Sequence, residues 1–215
     1  MWMISKIISQ TFSNCLKLLF PYHCYLCKIE TTDTSLCNKC ISSFTKAIDT
    51  PLPFITSIYS FKDERIKKSI HAVKYFHRKD LLPPFTKEIS ELIKKENYGS
   101  CVLVPIPMPV FRKYVRGYNH TEVIAGLISK ELTVPVQTNL LYRNKTVARP
   151  RQVLTHSRHE RLKNQRNAFI ASSHAKNRNI ILIDDVTTTG ATLSEARKVL
   201  LGAGASRVTA FTIAH

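Results

Sequence analysis

Two groups of residues have the types and spacing to do chemistry. The first is Ile181–Thr192, ILIDDVTTTGAT. Asp184 and Asp185 follow an apolar run, and two carboxylates side by side are costly unless they meet hydroxyls or a cation. A ribose 2′,3′-diol with Mg²⁺ nearby supplies both. After them, Thr187, Thr188, Thr189, Gly190, Ala191 and Thr192 bring hydroxyls and backbone N–H groups that can wrap a phosphate monoester. Gly190 permits close approach and unusual backbone angles. A helix opening at about Thr192 would add the positive end of its dipole. The order is not GxxxxGK[ST], so phosphoryl transfer from ATP is not indicated. The plainer alternative is a strand ending in acidic residues, then a Thr-rich turn that caps a helix.

The second group is Cys24-x2-Cys27-x9-Cys37-x2-Cys40. Each CxxC pair can grip a metal from one tight turn, and the nine-residue spacer can fold back to close a tetrahedral S4 shell. That shell suits zinc. Iron is the alternative for soft thiolates. Two disulfides are disfavoured because no signal peptide is expected. Four protein ligands leave no open position, so this zinc would be structural. Of the six cysteines, Cys15 and Cys101 stand alone and read as small buried hydrophobes.

These groups need elements to position them. The 215 residues suffice for one α/β domain plus a small appendage. Ile55–Phe61 alternates as a strand. Asp63–Phe76 has helical character with a basic face, on which His71 and Lys74 read as structural or surface groups. Phe85–Lys95 and Thr121–Leu132 repeat at helical spacing. Cys101–Val104, Ile180–Ile183 and Val208–Ile213 are apolar strands, and Leu193–Leu201 is a helix with Gly202 at its C-cap. Apolar strands alternating with amphipathic helices predict a parallel sheet covered on both faces. Asp184 and Asp185 would then emerge at a strand's carboxyl end, where open α/β sheets bind ligands. Residues 1–45 are expected to form an amphipathic helix plus the zinc module, and residues 46–215 the α/β domain. No run is apolar enough to span a membrane. Residues 1–20 read as a docking amphipathic helix, with a membrane-surface anchor as the lesser alternative.

The net charge of +17 favours polyanionic partners: nucleic acid, an anionic surface or phosphorylated metabolites. More than half of the excess falls between Leu140 and Ile180, where ten basic residues face Glu160 alone. Tyr142 and Phe169 lie in that stretch as possible stacking platforms for a single strand.

The loop Asp184-Asp-Val-Thr-Thr-Thr-Gly-Ala-Thr192 resembles the signature of the type I phosphoribosyltransferases. Other segments resemble the ComF/GntX family of competence proteins in chain order. These are Leu18-Leu-Phe-Pro-Tyr-His-Cys24-Tyr-Leu-Cys27, Leu36-Cys-Asn-Lys-Cys40, Ile70-His-Ala-Val-Lys-Tyr75, and Val104-Pro-Ile-Pro-Met108 with Arg112 and Arg116-Gly-Tyr-Asn119. Glu160-Arg-Leu-Lys-Asn164 with Phe169 continues the match. Lys28 departs from it, standing where a glycine often follows the second cysteine.

The resemblance implies a type I phosphoribosyltransferase-like parallel sheet flanked by helices, with a small N-terminal four-cysteine zinc module. It implies Asp184 and Asp185 on the ribose and Mg²⁺ of phosphoribosyl pyrophosphate (PRPP), and residues 187–192 on the 5′-phosphate. The pyrophosphate end falls after the strand Cys101–Val104. Three prolines there offer no N–H, so Arg112, Lys113 and Arg116 would supply the countercharge. Tyr118 and Asn119 could orient a ring or ribose; a solvated surface turn is the alternative for the whole block. The resemblance also implies a role in natural transformation, handling incoming single-stranded DNA, either cytoplasmic or peripheral at the inner membrane. A competence helicase or recombination loader is a possible partner. An active phosphoribosyltransferase with an unidentified acceptor is the second expectation.

Overall fold

A computed structural model describes residues 22–32, 34–144 and 167–215. The helix expected before residue 21, most of the basic stretch and the Glu160–Asn164 motif lie outside the described residues. The chain divides into two compact units, one ending at Phe44 and the other running from Thr45 to His215.

In the first unit β1 (Tyr22–His23) pairs antiparallel with β2 (Glu30–Thr31), and a single helical turn, α1 (Asn38–Ser42), follows. Lys28 closes the turn between the strands at φ +64, in the left-handed region that favours glycine. The lysine therefore keeps the conformation a glycine would take more easily. Leu36 and Phe44 are buried, with Cys24 and Cys40.

The second unit is built on a parallel sheet of β3 (Ile55–Tyr59), β8 (Arg207–Ala214), β7 (Asn179–Val186) and β4 (Cys101–Pro105), in the spatial order β3-β8-β7-β4. Beyond β4, Val136 bridges Leu103 in parallel and continues the sheet for one residue. Ile180 to Ile183 are all buried, as expected for a central parallel strand covered on both faces.

Alternation separates the two faces. Val102, Val104, Ile180, Leu182, Val208 and Ala210 join one cluster with Leu193, Ala196 and Leu200 of α6 (Ala191–Gly202). The remaining helices are α2 (Glu64–Tyr75), α3 (Pro83–Glu96), α4 (Val110–Arg116) and α5 (His120–Leu132). α2 buries Ile66 and Ile70; of the apolar faces expected for α3 and α5, Phe85, Ile89, Ile93, Ile124 and Ile128 are buried, whereas Leu92, Val123 and Leu127 are only partly so.

Several boundaries differ from the sequence reading. α3 begins at Pro83, because proline at the first two helical positions loses no intrahelical bond. α6 runs through Gly202, and the left-handed residue after it is Gly204, φ +89. α4 and a hairpin of β5 (Leu141–Arg143) with β6 (Phe169–Ala171) had no clear signal, since seven- and three-residue elements carry too little periodicity.

Candidate functional site

The carboxylate pair does not follow its strand as expected; it lies inside β7. Asp184 pairs with Thr212 of β8, and Val186 with Ala214. On the other edge β4 stops at Pro105 opposite Ile183. The long β8 keeps β7 extended, while the ending of β4 opens a notch beside the two aspartates. A cavity of about 280 Å³ occupies that notch.

Adjacent strand residues face opposite sides, so the two carboxylates meet different neighbours. Asp185 is 6% exposed; Lys74 of α2 forms an ion pair with its Oδ2, and His120 Nε2 lies 3.4 Å from its Oδ1. Burial pushes the Asp185 carboxyl up, but the His120 hydrogen bond and the Lys74 charge outweigh it and hold the group below the usual carboxylate range. Asp184 is half-buried, and its Oδ1 accepts the Asp185 N–H at 2.9 Å. Burial, then the charge of Asp185, raises the Asp184 carboxyl well above the ordinary value. His120 is buried at the first position of α5, and its Nδ1 has no hydrogen-bond partner among the described residues.

Cations line the rest of the notch. Arg112 and Arg116 of α4 reach it, as does Arg143 of β5. Arg143 donates from Nε to Pro107 O (3.1 Å) and lies 5.1 Å over the Phe169 ring. Burial and then the Arg112 charge pull its guanidinium below the ordinary value, and Asp184 pulls the other way. Lys74, His120 and Arg143 are functional candidates that sequence reasoning missed. The first had been read as structural, and the other two carried no local pattern.

The other expected site residues divide. Thr192 lines the notch with both aspartates, but Thr187 to Ala191 do not. The Thr187 N–H is spent on Ala214 O (3.0 Å) and the Ala191 N–H on Thr189 Oγ1 (3.4 Å). Thr188 lines a different cavity of about 690 Å³ with Phe61, Lys62 and His215. Gly190, φ +73, caps α6; a Cβ there would stand 2.9 Å from Leu52 Cδ1. Lys113 faces Glu122 instead of the notch (3.3 Å).

Tyr118 orients protein rather than ligand, and Asn119 lines the notch but engages its side chain within the protein. The Tyr118 hydroxyl donates to Val73 O, and the Asn119 side chain caps α5 by accepting the Thr121 N–H (3.2 Å). Phe169 is 3% exposed and belongs to the core, so it cannot be a stacking platform, whereas Tyr142 is exposed.

In the first unit Cys24 and Cys40 Sγ are 3.8 Å apart, Cys27 and Cys37 Sγ 3.6 Å, and all four lie within 4.8 Å of one another. Four sulfurs about 2.3 Å from a tetrahedral zinc stand about 3.8 Å apart, whereas a disulfide needs about 2.05 Å. The spacing fits a metal shell. Burial raises the Cys24 thiol, but N–H groups of Cys27, Cys37 and Leu26 draw it down to about 6, which favours the thiolate a metal needs. Burial pushes Cys40 up to about 12.

The parallel sheet with its flanking helices is an α/β fold of the kind that the resemblance to type I phosphoribosyltransferases implied, and the N-terminal four-cysteine cluster accompanies it. Comparison with known proteins adds relatives. The chain is homologous to the competence proteins F and ComFC and to the DNA utilization protein YhgH. It is 30% identical to competence protein F of Haemophilus influenzae over 53% of this chain and 49% of that protein. It is 28% identical to ComFC of Bacillus subtilis over 92% of this chain and 80% of that one. To YhgH of Escherichia coli the figures are 24%, 86% and 86%. No family model matches. Solved structures that overlap in part include glutamine PRPP amidotransferase from B. subtilis, with 18% identity, 67% of this chain, 30% of that one and a TM-score of 0.43. A hypoxanthine phosphoribosyltransferase from Staphylococcus aureus gives 14%, 61%, 61% and 0.38.

Proposed function

We propose that the protein is a ComF-type competence factor that handles single-stranded DNA in natural transformation and holds a PRPP-type ligand in the notch of its α/β unit. The observation that carries the ligand reading is the meeting of Asp184 and Asp185 with Arg112, Arg116 and Arg143 around one cavity. A ribose diol needs carboxylate acceptors, and a pyrophosphate needs bidentate cations. Thr187–Thr192 would serve the 5′-phosphate through hydroxyls and the start of α6, after local rearrangement of the two N–H groups already spent. Among the described residues no helix is long and apolar enough to cross a membrane. We place the protein in the cytoplasm, where incoming strands arrive.

Zinc in the Cys24, Cys27, Cys37, Cys40 cluster would hold the first unit together, since so small a fold has little core of its own. Mg²⁺ would arrive with the pyrophosphate. His120, Asp184 and Asp185 place donor atoms within 4.8 Å of one another and would hold the cation, whose chemistry is neutralisation of the phosphate charge. The ion pair of Lys74 with Asp185 leaves Asp184 as the more available carboxylate.

The test is a thermal-shift titration of the zinc-loaded chain with PRPP and Mg²⁺, then with a single-stranded oligonucleotide. A ligand that binds the folded state stabilises it by mass action, about 2.7 kcal/mol at a hundred times Kd. A flat response to PRPP up to millimolar concentration refutes the ligand reading. A flat response to DNA at low salt refutes the strand reading.

Turnover of PRPP is the second reading, favoured by the buried His120 Nδ1 beside the carboxylates. Pyrophosphate release with a panel of acceptors decides it.

A further inference from the structure

α4 is anomalous for a helix in a folded unit: none of its seven residues is buried. A helix this short has no stability of its own and normally persists by burying an apolar face. Here Val110 is 72% exposed, Val115 65% and Tyr114 86%, and Phe111 is also largely exposed. At the end of α2, Tyr75 and Phe76 are exposed as well. The Arg116 guanidinium lies 4.7 Å over the Tyr75 ring and ties the two helices into one surface. Single exposed apolar groups are ordinary, but so many on adjoining elements mark a binding face.

Charge decides what binds there. Arg112, Lys113 and Arg116 alternate with the apolar side chains of α4, which carries no acidic residue. Glu122 of α5 meets Lys113 alone among the three. An apolar protein groove would be forced to bury these cations, whereas a polyanion with flat rings uses both sets of groups. Backbone phosphates meet Lys113 and the outer edges of Arg112 and Arg116, which also line the notch, while exposed bases stack on Tyr114, Phe111 and Phe76; Tyr75 is already flanked by Arg116 and His71. A duplex keeps its bases stacked internally and cannot use the rings.

We infer that α4, with the end of α2, is the platform on which single-stranded DNA lies, next to the ligand notch. This rests on the strand-handling reading above and locates it on a surface other than the basic stretch of Leu140–Ile180.

The test is fluorescence anisotropy of a labelled oligothymidylate with the full zinc-loaded chain at low salt. Tyr114→Ala is expected to weaken binding about tenfold and Phe111→Ala/Tyr114→Ala further, within the roughly 5- to 150-fold per base that stacking gives. Tyr114→Phe keeps the ring and should bind as the parent does. A hairpin duplex of equal length should bind weakly and ignore Tyr114→Ala. Neither tyrosine variant should alter the PRPP thermal shift, which confirms that the unit is folded. If the parent protein binds the oligonucleotide and both alanine variants bind it equally well, the platform is wrong and the strand reading stands. If the parent does not bind, both fail. Tyr114-dependent binding to anionic vesicles, with no effect on the oligonucleotide, likewise overturns the platform in favour of a membrane surface.

Discussion

Asp184 and Asp185 are chemically identical neighbours, yet replacing each with asparagine should move stability in opposite directions. Asp185→Asn leaves Lys74 without its counter-ion and weakens the His120 bond in a site where the carboxylate is 9% exposed and the lysine side chain 23%. Breaking a buried pair from one side costs about 3–5 kcal/mol, and the partly exposed lysine places this case at about 3. For a unit of this size that lowers Tm by about 6–12 °C. Asp184→Asn removes a charge held within 4.8 Å of Asp185. Like charges at that distance repel by about 3.5 kcal/mol at an effective dielectric of about 20. Attraction to Lys74 and Arg143 offsets most of it, leaving a gain of about 1 kcal/mol, or 2–4 °C.

The pH dependence separates the two causes. The Asp185 carboxyl is depressed on folding, so its stabilising contribution is complete above the unfolded value near 3.8 and disappears as pH falls through the folded value. The Asp185→Asn deficit should therefore persist unchanged from pH 8 to 5. Asp184 is raised, so its penalty is complete above its folded value and vanishes as pH falls towards 3.8. The Asp184→Asn gain should shrink over that range. Calorimetry of the ligand-free protein at pH 8, 6.5 and 5 measures both, and a PRPP titration should show Asp184→Asn losing ligand affinity as it gains stability. Destabilisation by Asp184→Asn, or equal effects of the two substitutions, would refute this account of the notch.

Other outcomes follow from single features. Arg112→Ala and Arg116→Ala should each lower PRPP affinity about tenfold, the scale of one charge-assisted hydrogen bond, and Lys113→Ala should leave it unchanged in isothermal titration. Gly190→Ala should lower Tm by several degrees. It combines the roughly 1 kcal/mol cost of a left-handed residue with a Cβ 2.9 Å from Leu52 Cδ1 and 3.1 Å from Ile55 Cδ1. Cys24→Ser, or a strong zinc chelator, should release the metal and unfold the first unit. Metal analysis and amide exchange across residues 22–44 would detect this, and protection retained there without metal would count against a structural zinc.

The elements that carry long apolar periods were legible: β4, β8, α2, α3 and α5 stand within two residues of their patterns, while β7 runs three residues past its apolar run because β8 pairs with it as far as Val186. The cysteine cluster was also legible, because each CxxC turn holds its own two sulfurs close and the nine-residue spacer lets the β1–β2 hairpin and α1 bring the pairs together. What could not be read was the partnership of residues distant in the chain. Lys74 sits on a basic helical face, and nothing local marks it off from Arg65, Lys67 or Lys68. Register alone decides that Lys74 meets Asp185. His120 and Arg143 likewise acquire meaning from where α5 starts and where a three-residue strand pairs.

The same geometry explains how one motif can be intact and yet insufficient to fix a reaction. Side-chain alternation along the strand puts Asp185 on the side of Lys74 and His120, so one of the two carboxylates already has its cation. Asp184 faces the arginines and remains strained in the ligand-free protein, with burial and its neighbour both opposing its charge. A cationic or hydroxyl-bearing ligand relieves that strain on arrival, and this favours holding the ligand. Transfer chemistry asks for more: the developing positive charge on a ribose would have to be stabilised beside three arginines and a lysine. Four cations around two aspartates grip a polyphosphate and would equally stabilise it as a leaving group, so they do not by themselves separate holding from transfer. What weighs towards holding is the poor setting for a ribose cation beside those same charges, and pyrophosphate release is the measurement that decides.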